Sequence, residues 1–358
     1  MSSTPLVVIR SAGWSYPVFA GERLAAAIPA IIDESCRGGR RFAVVSRAVQ
    51  KAQPALVAKA TGGMEVIPFD DGEELKTLET AQTLVEHLLQ RGVRRDSVLV
   101  AIGGGMTGDT AGMAAALVLR GIDLVQVPTT LLAQVDSSLG GKVGVNSRHG
   151  KNLIGAIWPP RAVISDPAFL TSLPADEIRS GLFEAMKAGI IADGVLFELC
   201  RDFADGSEEE LNEIIRRSID VKARIVSDDE REGDRRRLLN YGHTIGHGIE
   251  AAMNYRGITH GDAVAFGMIG ANAVASGRGT LDRESETAIR DAIRKRRPRR
   301  PQQLDEARVL EAIESDKKFS QDKRVMVLPR GIGDCSIVEG ISREEIALGV
   351  RAALDELG

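Results

Sequence analysis

The chain has 358 residues, enough for two domains or one large one. Hydrophobic residues make up 43% and charged residues 27%, the composition of an ordinary globular protein. A formal net charge of −4 argues against a general basic field for nucleic acid or membranes. Cys36, Cys200 and Cys335 are isolated, and no signal-peptide or membrane-spanning pattern is found, so a reducing, cytoplasmic location is expected.

Short β-branched runs alternate with helical patterns in the first half of the chain. Strands are predicted at 42–45, 65–69, 98–102 and 124–127. Helices are predicted at 55–60, at 77–91 and from near Asp109 onward. This alternation predicts a parallel sheet that is covered by helices on both faces.

Helical periodicity dominates from about residue 170. Helices are predicted at 185–191, 208–226, 238–253, 263–275 and 285–296, with a possible lone strand at 325–328. We therefore expect an α/β N-terminal domain with a Rossmann-like parallel sheet at residues 1–169, and an all-α C-terminal domain at 170–358. The basic run 294–301 resembles a nucleic-acid patch, but no aromatic residue interrupts it, which favours a solvated interhelical loop.

A glycine turn follows the apolar run 98–102. Gly103, Gly105 and Gly108 match the G-x-G-x-x-G spacing, in which backbone N–H groups at a helix start face a pyrophosphate. The alternative is a plain tight turn. No acidic residue is obvious on a following strand, so an ordinary Rossmann fold is not expected.

Polar residues form a stripe in the segment 232–247. Arg236, Asn240, His243 and His247 would share one face of a single helix. Burying such groups without partners is costly, so this face must meet water or line a site. His243 and His247 have the i, i+4 spacing of a metal-chelating pair.

Other candidate ligands lie nearby in sequence. His260 precedes the next predicted helix, and Glu184 shares a helix face with Lys187. A glutamate and two histidines would leave a divalent ion open positions for substrate. The alternatives are a hydrogen-bonded histidine cluster without metal and a surface ion pair, and the spacing does not decide which two histidines bind.

A polar loop is predicted at 136–142, followed by Asn146, Lys151 and Asn152. Its small residues and lysines suit an anion cradle, although a generic polar loop has the same composition. Arg120 lies at a helix end, where the helix dipole alone also favours a cation.

These segments together resemble the sugar-phosphate cyclases, and most closely the dehydroquinate synthase family. The similarity runs over roughly residues 68–332. Its motifs occur in order at 71–76, 103–109, 120–121, 127–138, 140–142, 151–152, 184–187, 239–247 and 260–264.

The resemblance implies a role for each matching residue. NAD would be held by Glu73, Lys76, Gly104, Gly105, Asp109, Thr129, Thr130, Asp136, Lys142 and Lys151. The metal, zinc or cobalt, would be bound by Glu184, His243 and His260, which leaves His247 for proton transfers. The other catalytic and substrate-contacting residues would be Lys142, Asn152, Lys187, Lys222, Arg236 and Asn240, with Arg324 at the phosphate and Arg120 reaching a neighbouring subunit's site in a homodimer.

The implied reaction converts 3-deoxy-D-arabino-heptulosonate 7-phosphate to 3-dehydroquinate and phosphate, a step of the shikimate pathway. Oxidation at C5 by NAD, aided by the metal, acidifies the C6 proton, so phosphate leaves by β-elimination. The hydride then returns to C5, and an intramolecular aldol reaction closes the ring. The enzyme would thus be a lyase with no net redox change.

Three related activities remain as alternatives. The 2-deoxy-scyllo-inosose synthases and valiolone-type synthases use sugar phosphates without a carboxylate, whereas Lys222 and Arg236 favour a carboxylate-bearing substrate. Asn240 stands where inosose synthases tend to have an acid. Metal-dependent glycerol and alcohol dehydrogenases share the architecture but release NADH, and the dense set of cations argues against them.

Overall fold

The structure, a computed structural model, describes residues 4–204, 206–229, 235–301, 304–315 and 324–356. The strands are β1 (Val7–Arg10), β2 (Ser15–Ala20), β3 (Arg41–Ser46), β4 (Glu65–Phe69), β5 (Val98–Gly103), β6 (Asp123–Pro128), β7 (Lys142–Ser147), β8 (Gly150–Ile157), β9 (Ala162–Ser165), β10 (Val325–Gly331) and β11 (Asp334–Glu339). The helices are α1 (Ile28–Ser35), α2 (Arg47–Ala52), α3 (Pro54–Thr61), α4 (Leu78–Gln90), α5 (Gly105–Leu117), α6 (Ala175–Ala192), α7 (Gly194–Asp202), α8 (Glu208–Asp228), α9 (His243–Ala252), α10 (His260–Gly277), α11 (Arg283–Lys295), α12 (Glu306–Ser315) and α13 (Arg343–Asp355).

The chain forms two compact units. The first comprises residues 1–174 and 211–227, so most of α8 belongs to it. The second comprises residues 175–210 and 228–358. The predicted fold class is confirmed, because a sheet of mainly parallel strands builds the first unit and helices build most of the second.

The first unit contains a seven-stranded sheet in the order β1-β2-β9-β6-β5-β3-β4. All neighbours pair in parallel except β1 and β2. The central strands β5 and β6 are buried along their whole length, as expected for strands covered on both faces. The carboxyl ends of β4, β5 and β6 therefore open at one edge of the sheet, where parallel α/β folds bind ligands.

The helix after the glycine turn begins earlier than predicted. We expected it near Asp109, but α5 starts at Gly105, with Gly104 as its N-cap. A side chain at Gly103 would place a Cβ 2.5 Å from Thr107, so only glycine permits this tight return of the chain. Gly103 thus ends β5, Gly104 caps the helix, and Gly105 and Gly108 lie in its first turn, with no loop before it.

The predicted polar loop at 136–142 is also wrong in part. Residues Ala133–Ser137 form a short π-helical segment, and Lys142 begins β7. Strands β7 and β8 pair as an antiparallel hairpin, which places Lys151 and Asn152 on β8. The sequence did not predict this hairpin, because its glycine and asparagine residues are poor strand formers.

The single helix predicted at 238–253 does not form. A 3₁₀ segment, Arg235–Asn240, is followed by Gly242 in the left-handed region (φ 78°), and α9 begins only at His243. Gly242 packs its backbone against α10, where a Cβ on Gly267 would lie 1.9 Å from the Gly242 carbonyl oxygen. The close approach of α9 and α10 requires this break, so Arg236 and Asn240 do not share a helix with the histidines.

Two further sequence predictions have clear outcomes in the second unit. The possible lone strand at 325–328 is part of β10, which pairs with β11 as a hairpin. The basic run 294–301 is partly engaged within the protein, because Arg294 forms two hydrogen bonds with Glu356, and Arg296 donates to the carbonyl oxygens that end α7. Among the described residues, no helix is both long and apolar enough to cross a membrane.

Candidate functional site

A buried lysine links three parts of the first unit. Lys76 follows β4 and is 5% exposed. Its Nζ lies 2.6 Å from Asp109 Oδ2 on α5 and 2.6 Å from Asn152 Oδ1 on β8. Burial raises the pKa of Asp109, and the ammonium of Lys76 opposes that shift. The ammonium of Lys76 therefore joins two other predicted site residues, Asp109 and Asn152.

The glycine turn is closely fitted to its surroundings. A Cβ at Gly104 would lie 3.0 Å from Thr130 Cγ2, and one at Gly105 would lie 2.8 Å from Ser137 Oγ. Within the described part of the chain, Ser137 Oγ and Thr129 Oγ1 are buried and have no hydrogen-bond partner. Free helix N–H groups, absent side chains and unsatisfied hydroxyls make a fitting cradle for a dinucleotide phosphate.

A second ion pair lies beyond β6. Lys222 on α8 places its Nζ 2.7 Å from Asp136 Oδ1 and 2.6 Å from the Asp136 carbonyl oxygen. Lys222 is 7% exposed, so its charge is largely withdrawn from water. The structure thus brings together a predicted NAD contact and a predicted substrate contact. Lys142 is exposed at the start of β7.

The hairpin also meets the segment after β4. Glu73 Oε1 accepts a hydrogen bond from Asn146 Nδ2 at 2.8 Å, and Lys151 Nζ lies 4.0 Å from the same oxygen. Asn152, whose φ of 55° is in the left-handed region, donates its backbone N–H to Asn146 Oδ1. The predicted positions 73, 151 and 152 are therefore neighbours in the first unit.

Asp71 opens the 71–76 motif but was not among the predicted site residues. Its carboxylate accepts hydrogen bonds from Ser46 Oγ at 2.6 Å and from Thr107 Oγ1 at 3.4 Å. It thereby joins the carboxyl ends of β3 and β4 to the first turn of α5. An acidic residue does stand beside the glycine turn, but it comes after β4 instead of ending a strand.

The second unit brings one glutamate and three histidines together. Glu184 on α6 is 2% exposed, and its Oε1 lies 3.5 Å from His260 Nε2 and 3.9 Å from His243 Nε2. One ring nitrogen from each of His243, His247 and His260 also lies within 4.8 Å of the other two. Lys187 Nζ is 2.5 Å from the other oxygen, Glu184 Oε2. The i, i+3 pair predicted from sequence is therefore buried in the cluster and is not a surface ion pair.

Hydrogen bonds orient two of these histidines in the same way. His243 Nδ1 lies 3.2 Å from the Tyr241 carbonyl oxygen, and His260 Nδ1 lies 3.1 Å from Glu250 Oε2. Both partners are acceptors, so each Nδ1 donates a proton, and in the neutral form of each ring the Nε2 lone pair faces Glu184. With both rings neutral, three acceptor atoms converge, an arrangement that suits a bound cation.

The two histidines differ in their affinity for protons. Burial holds the pKa of His243 well below its ordinary value, and Lys187 and the other two imidazoles act in the same direction. Burial also lowers the pKa of His260, but the carboxylates of Glu250 and Glu184 outweigh it and the net shift is upward. His243 is accordingly a neutral imidazole at physiological pH, the form that binds metals.

A divalent cation fits this cluster. Glu184 Oε1 is buried and accepts no hydrogen bond from the residues that the structure describes. An ion among Glu184, His243 and His260 would satisfy that oxygen and both lone pairs, and two histidines with one carboxylate are a common catalytic zinc set. Spacing predicted the histidines, whereas Glu250 was missed, although it lies two helical turns after His243 and so shares its face of α9.

The remaining predicted residues are spread over both units. In the second unit, Arg236 is 3% exposed and donates its backbone N–H to Asp229, Asn240 ends the 3₁₀ segment, and Arg324 directly precedes β10. In the first unit, Arg120 is exposed in the turn after α5. Leu119 and Arg120 both have positive φ values, 52° and 65°, a strained conformation that is concentrated at functional sites.

Comparison with known proteins identifies relatives along most of the chain. The family described as 3-dehydroquinate synthase N-terminal matches residues 66–180, and 3-dehydroquinate synthase C-terminal matches residues 181–319. The 3-dehydroquinate synthase of Solibacter usitatus (strain Ellin6076) is 41% identical over 323 residues, which cover 88% of this chain and 90% of that protein.

Solved structures show the same fold. The 2-epi-5-epi-valiolone synthase of Streptomyces hygroscopicus subsp. jinggangensis 5008, with NAD+ and Zn2+ bound, superposes with a TM-score of 0.87 at 28% identity, covering 97% of this chain and 99% of that chain. A 2-deoxy-scyllo-inosose synthase complexed with carbaglucose-6-phosphate, NAD+ and Co2+ gives 0.83 at 28% identity, covering 96% and 99%.

Proposed function

The chain belongs to the 3-dehydroquinate synthase family, and on that premise we propose how its residues convert 3-deoxy-D-arabino-heptulosonate 7-phosphate to 3-dehydroquinate and phosphate. The observation that carries the proposal is the convergence of Glu184 Oε1 with two histidine Nε2 atoms. The glycine turn, where added side chains would clash, supports the second binding site that this reaction needs, the one for NAD. Its enzyme class is a carbon–oxygen lyase.

The nucleotide and the ion would be held by residues described above. NAD would contact Glu73, Lys76, Gly104, Gly105, Asp109, Thr129, Thr130, Asp136, Lys142 and Lys151. A zinc or cobalt ion would take Glu184, His243 and His260 as ligands. When bound, NAD supplies reversible hydride transfer at C5, and the ion supplies Lewis acidity at the substrate hydroxyls.

The other polar residues would bind the substrate and stabilise its charge. Lys142, Asn152 and His247 would stabilise the leaving phosphate and the enolate-like charge at C6, and His247 would carry protons. Lys187, Lys222, Arg236, Asn240 and Arg324 would orient the phosphate and carboxylate of the substrate. Such a dense set of cations suits a multiply anionic sugar phosphate, which favours this substrate over those of the sister cyclases.

Phosphate release tests this assignment directly. Purified protein with NAD and Zn2+ or Co2+ is offered 3-deoxy-D-arabino-heptulosonate 7-phosphate, glucose 6-phosphate or sedoheptulose 7-phosphate, while NADH absorbance is followed. We expect phosphate from the first substrate alone, without accumulation of NADH. Release from either other sugar would identify a sister cyclase, and NADH without phosphate would identify a dehydrogenase.

The ligand assignment is tested by metal content. His260→Ala is expected to lose the bound ion while NAD still binds, because its Nε2 faces Glu184 Oε1. His87→Ala, on α4 in the first unit, is the matched control and should keep the ion. Equal metal content in His260→Ala and wild type would refute the assignment.

We also propose that the enzyme is a homodimer in which Arg120 serves the partner's site. Two observations support it: the strained turn that presents Arg120, and the exposed side chains of Leu153 and Ile157 on one face of β8. Mixing inactive Arg120→Ala and Lys187→Ala proteins should restore roughly a quarter of wild-type activity, since mixed dimers contain one intact site. No recovery after subunit exchange would show that Arg120 acts within its own subunit.

We propose a division of function between the two domains predicted from the sequence. We propose that residues 1–169 bind the nucleotide and that residues 170–358 bind the metal and much of the substrate. A cytoplasmic location is proposed from the three isolated cysteines, which are all free thiols. Fluorescence microscopy of the tagged protein in its host would test the location.

A further inference from the structure

A buried carboxylate stands behind one of the candidate metal ligands. Glu250 lies on α9 and is 3% exposed, and its Oε2 is 3.1 Å from His260 Nδ1. Keeping a carboxylate at this depth is unfavourable unless it is paired and hydrogen-bonded. The ring N–H of His260 is a partner of that kind, on the side of the ring that faces away from Glu184.

This contact determines which nitrogen of His260 is free. A carboxylate oxygen accepts hydrogen bonds, so in the neutral, metal-binding form of the ring the proton of His260 sits on Nδ1. The Nε2 lone pair then faces Glu184 Oε1, 3.5 Å away. Loss of the carboxylate would let the ring rotate or exchange tautomers, and either change would turn the lone pair away.

The two histidines are held by acceptors of different strength. His243 donates to the neutral carbonyl of Tyr241 at 3.2 Å, within its own segment of chain. His260 donates to a full negative charge from another helix. A carboxylate partner makes an imidazole a stronger electron donor than a carbonyl partner does, so His260 should bind an ion more tightly.

The close packing of α9 against α10 fixes the position of Glu250 relative to His260. His243 and Glu250 are seven residues apart on α9, and therefore share one helix face. Glycines let α9 approach α10 at backbone distance: a Cβ on Gly246 would lie 3.0 Å from the Ala263 carbonyl oxygen. Helix α9 thus supplies the ligand His243 and also the carboxylate of Glu250, which orients the ligand His260 at the start of α10.

We propose that Glu250 is a positioning residue that fixes the orientation and tautomer of His260 and so strengthens binding of a divalent cation. The inference deepens the proposed function and rests on its metal site. Loss of such a partner typically lowers metal affinity by about 10- to 100-fold. Glu250 itself need not touch the ion.

Metal affinity is the decisive measurement. Glu250→Gln keeps the size of the side chain and a possible acceptor but removes the charge, and Glu284→Gln, at the start of α11, is the control in the same unit. We expect competition with a chromophoric chelator to show at least about 10-fold weaker Zn2+ binding for Glu250→Gln only. The visible spectrum of the Co2+ protein should shift in the same variant, while NAD binding and the thermal midpoint stay near the wild-type values.

A second measurement uses the wild-type protein, in case the variant does not fold. With nitrogen-15 histidine and bound Zn2+, His260 should show a protonated, hydrogen-bonded Nδ1 and a metal-bound Nε2. Metal bound through Nδ1, or equal Zn2+ affinity in Glu250→Gln and wild type, would overturn the role of Glu250 and leave the proposed function standing. A wild-type protein that bound neither Zn2+ nor Co2+ would overturn both.

Discussion

Replacing Lys76 by methionine should destabilise the first unit substantially. The ammonium is almost fully buried and makes two hydrogen bonds of 2.6 Å, to Asp109 and Asn152. Removing one partner of a buried ion pair costs about 3–5 kcal/mol, because the other charge is left without compensation. We expect about 3 kcal/mol, the lower end, because the side chain of Asp109 is 19% exposed and can protonate.

The loss of unfolding free energy in Lys76→Met is measured by denaturant unfolding, with a spectroscopic probe that reports on the first unit alone. Arg224→Ala is the control, since its ion pair with Asp220 on α8 is more than half exposed on both sides and should contribute less than about 0.5 kcal/mol. Replacing Lys76 and Asp109 together by apolar residues should cost less than the sum of the single changes. Equal shifts for Lys76→Met and Arg224→Ala would refute the reasoning.

Three further predictions concern the second unit and the ion. Gly267→Ala should lower the free energy of unfolding by about 1–3 kcal/mol and weaken Zn2+ binding, because its Cβ would clash with the Gly242 carbonyl oxygen and displace α9. An unchanged melting temperature and an unchanged Zn2+ affinity would contradict this prediction. Arg278 lowers the pKa of Glu345 from 4.5 to about 2, so the pair contributes fully above pH 4.5 and is lost as pH falls towards 2. Glu345→Gln should therefore lower the free energy of unfolding by about 1 kcal/mol at pH 6, after allowance for solvent screening, and have little effect near pH 2. A difference in unfolding midpoint that does not change with pH would refute this prediction. Chelation of the ion should stop phosphate release but not NAD binding, with activity restored by Zn2+ or Co2+, whereas full activity of metal-free protein would exclude a catalytic ion.

The parts of the fold that were predictable are those with strong local signals. Strand β5 is a continuous apolar run that ends in glycine, and this pattern is recognisable without any knowledge of the rest of the chain. The hairpin β7–β8 lacks such a signal. Its strands are stabilised by pairing with each other, and glycine and asparagine in them point locally to a turn.

The candidate site was predictable to the extent that its residues are close in sequence. His243 and His247 were found by helical spacing, and His260 by its proximity. The break before α9 was not, because Gly242 adopts its left-handed conformation to pack on Gly267, 25 positions later in the chain. Glu250 was missed because a glutamate on a helix usually faces water, and only tertiary packing turns this one towards His260.

The passage of residues 211–227 back into the first unit has a consequence for recombination of enzymes in this family. A single crossover near residue 174 would take the seven-stranded sheet from one parent and Lys222 from the other. Asp136 from one parent would then have to form its 2.7 Å ion pair with the residue that the other parent has at position 222. Chimaeras should therefore exchange the segment 211–227 together with residues 1–174, as a two-part module with three junctions.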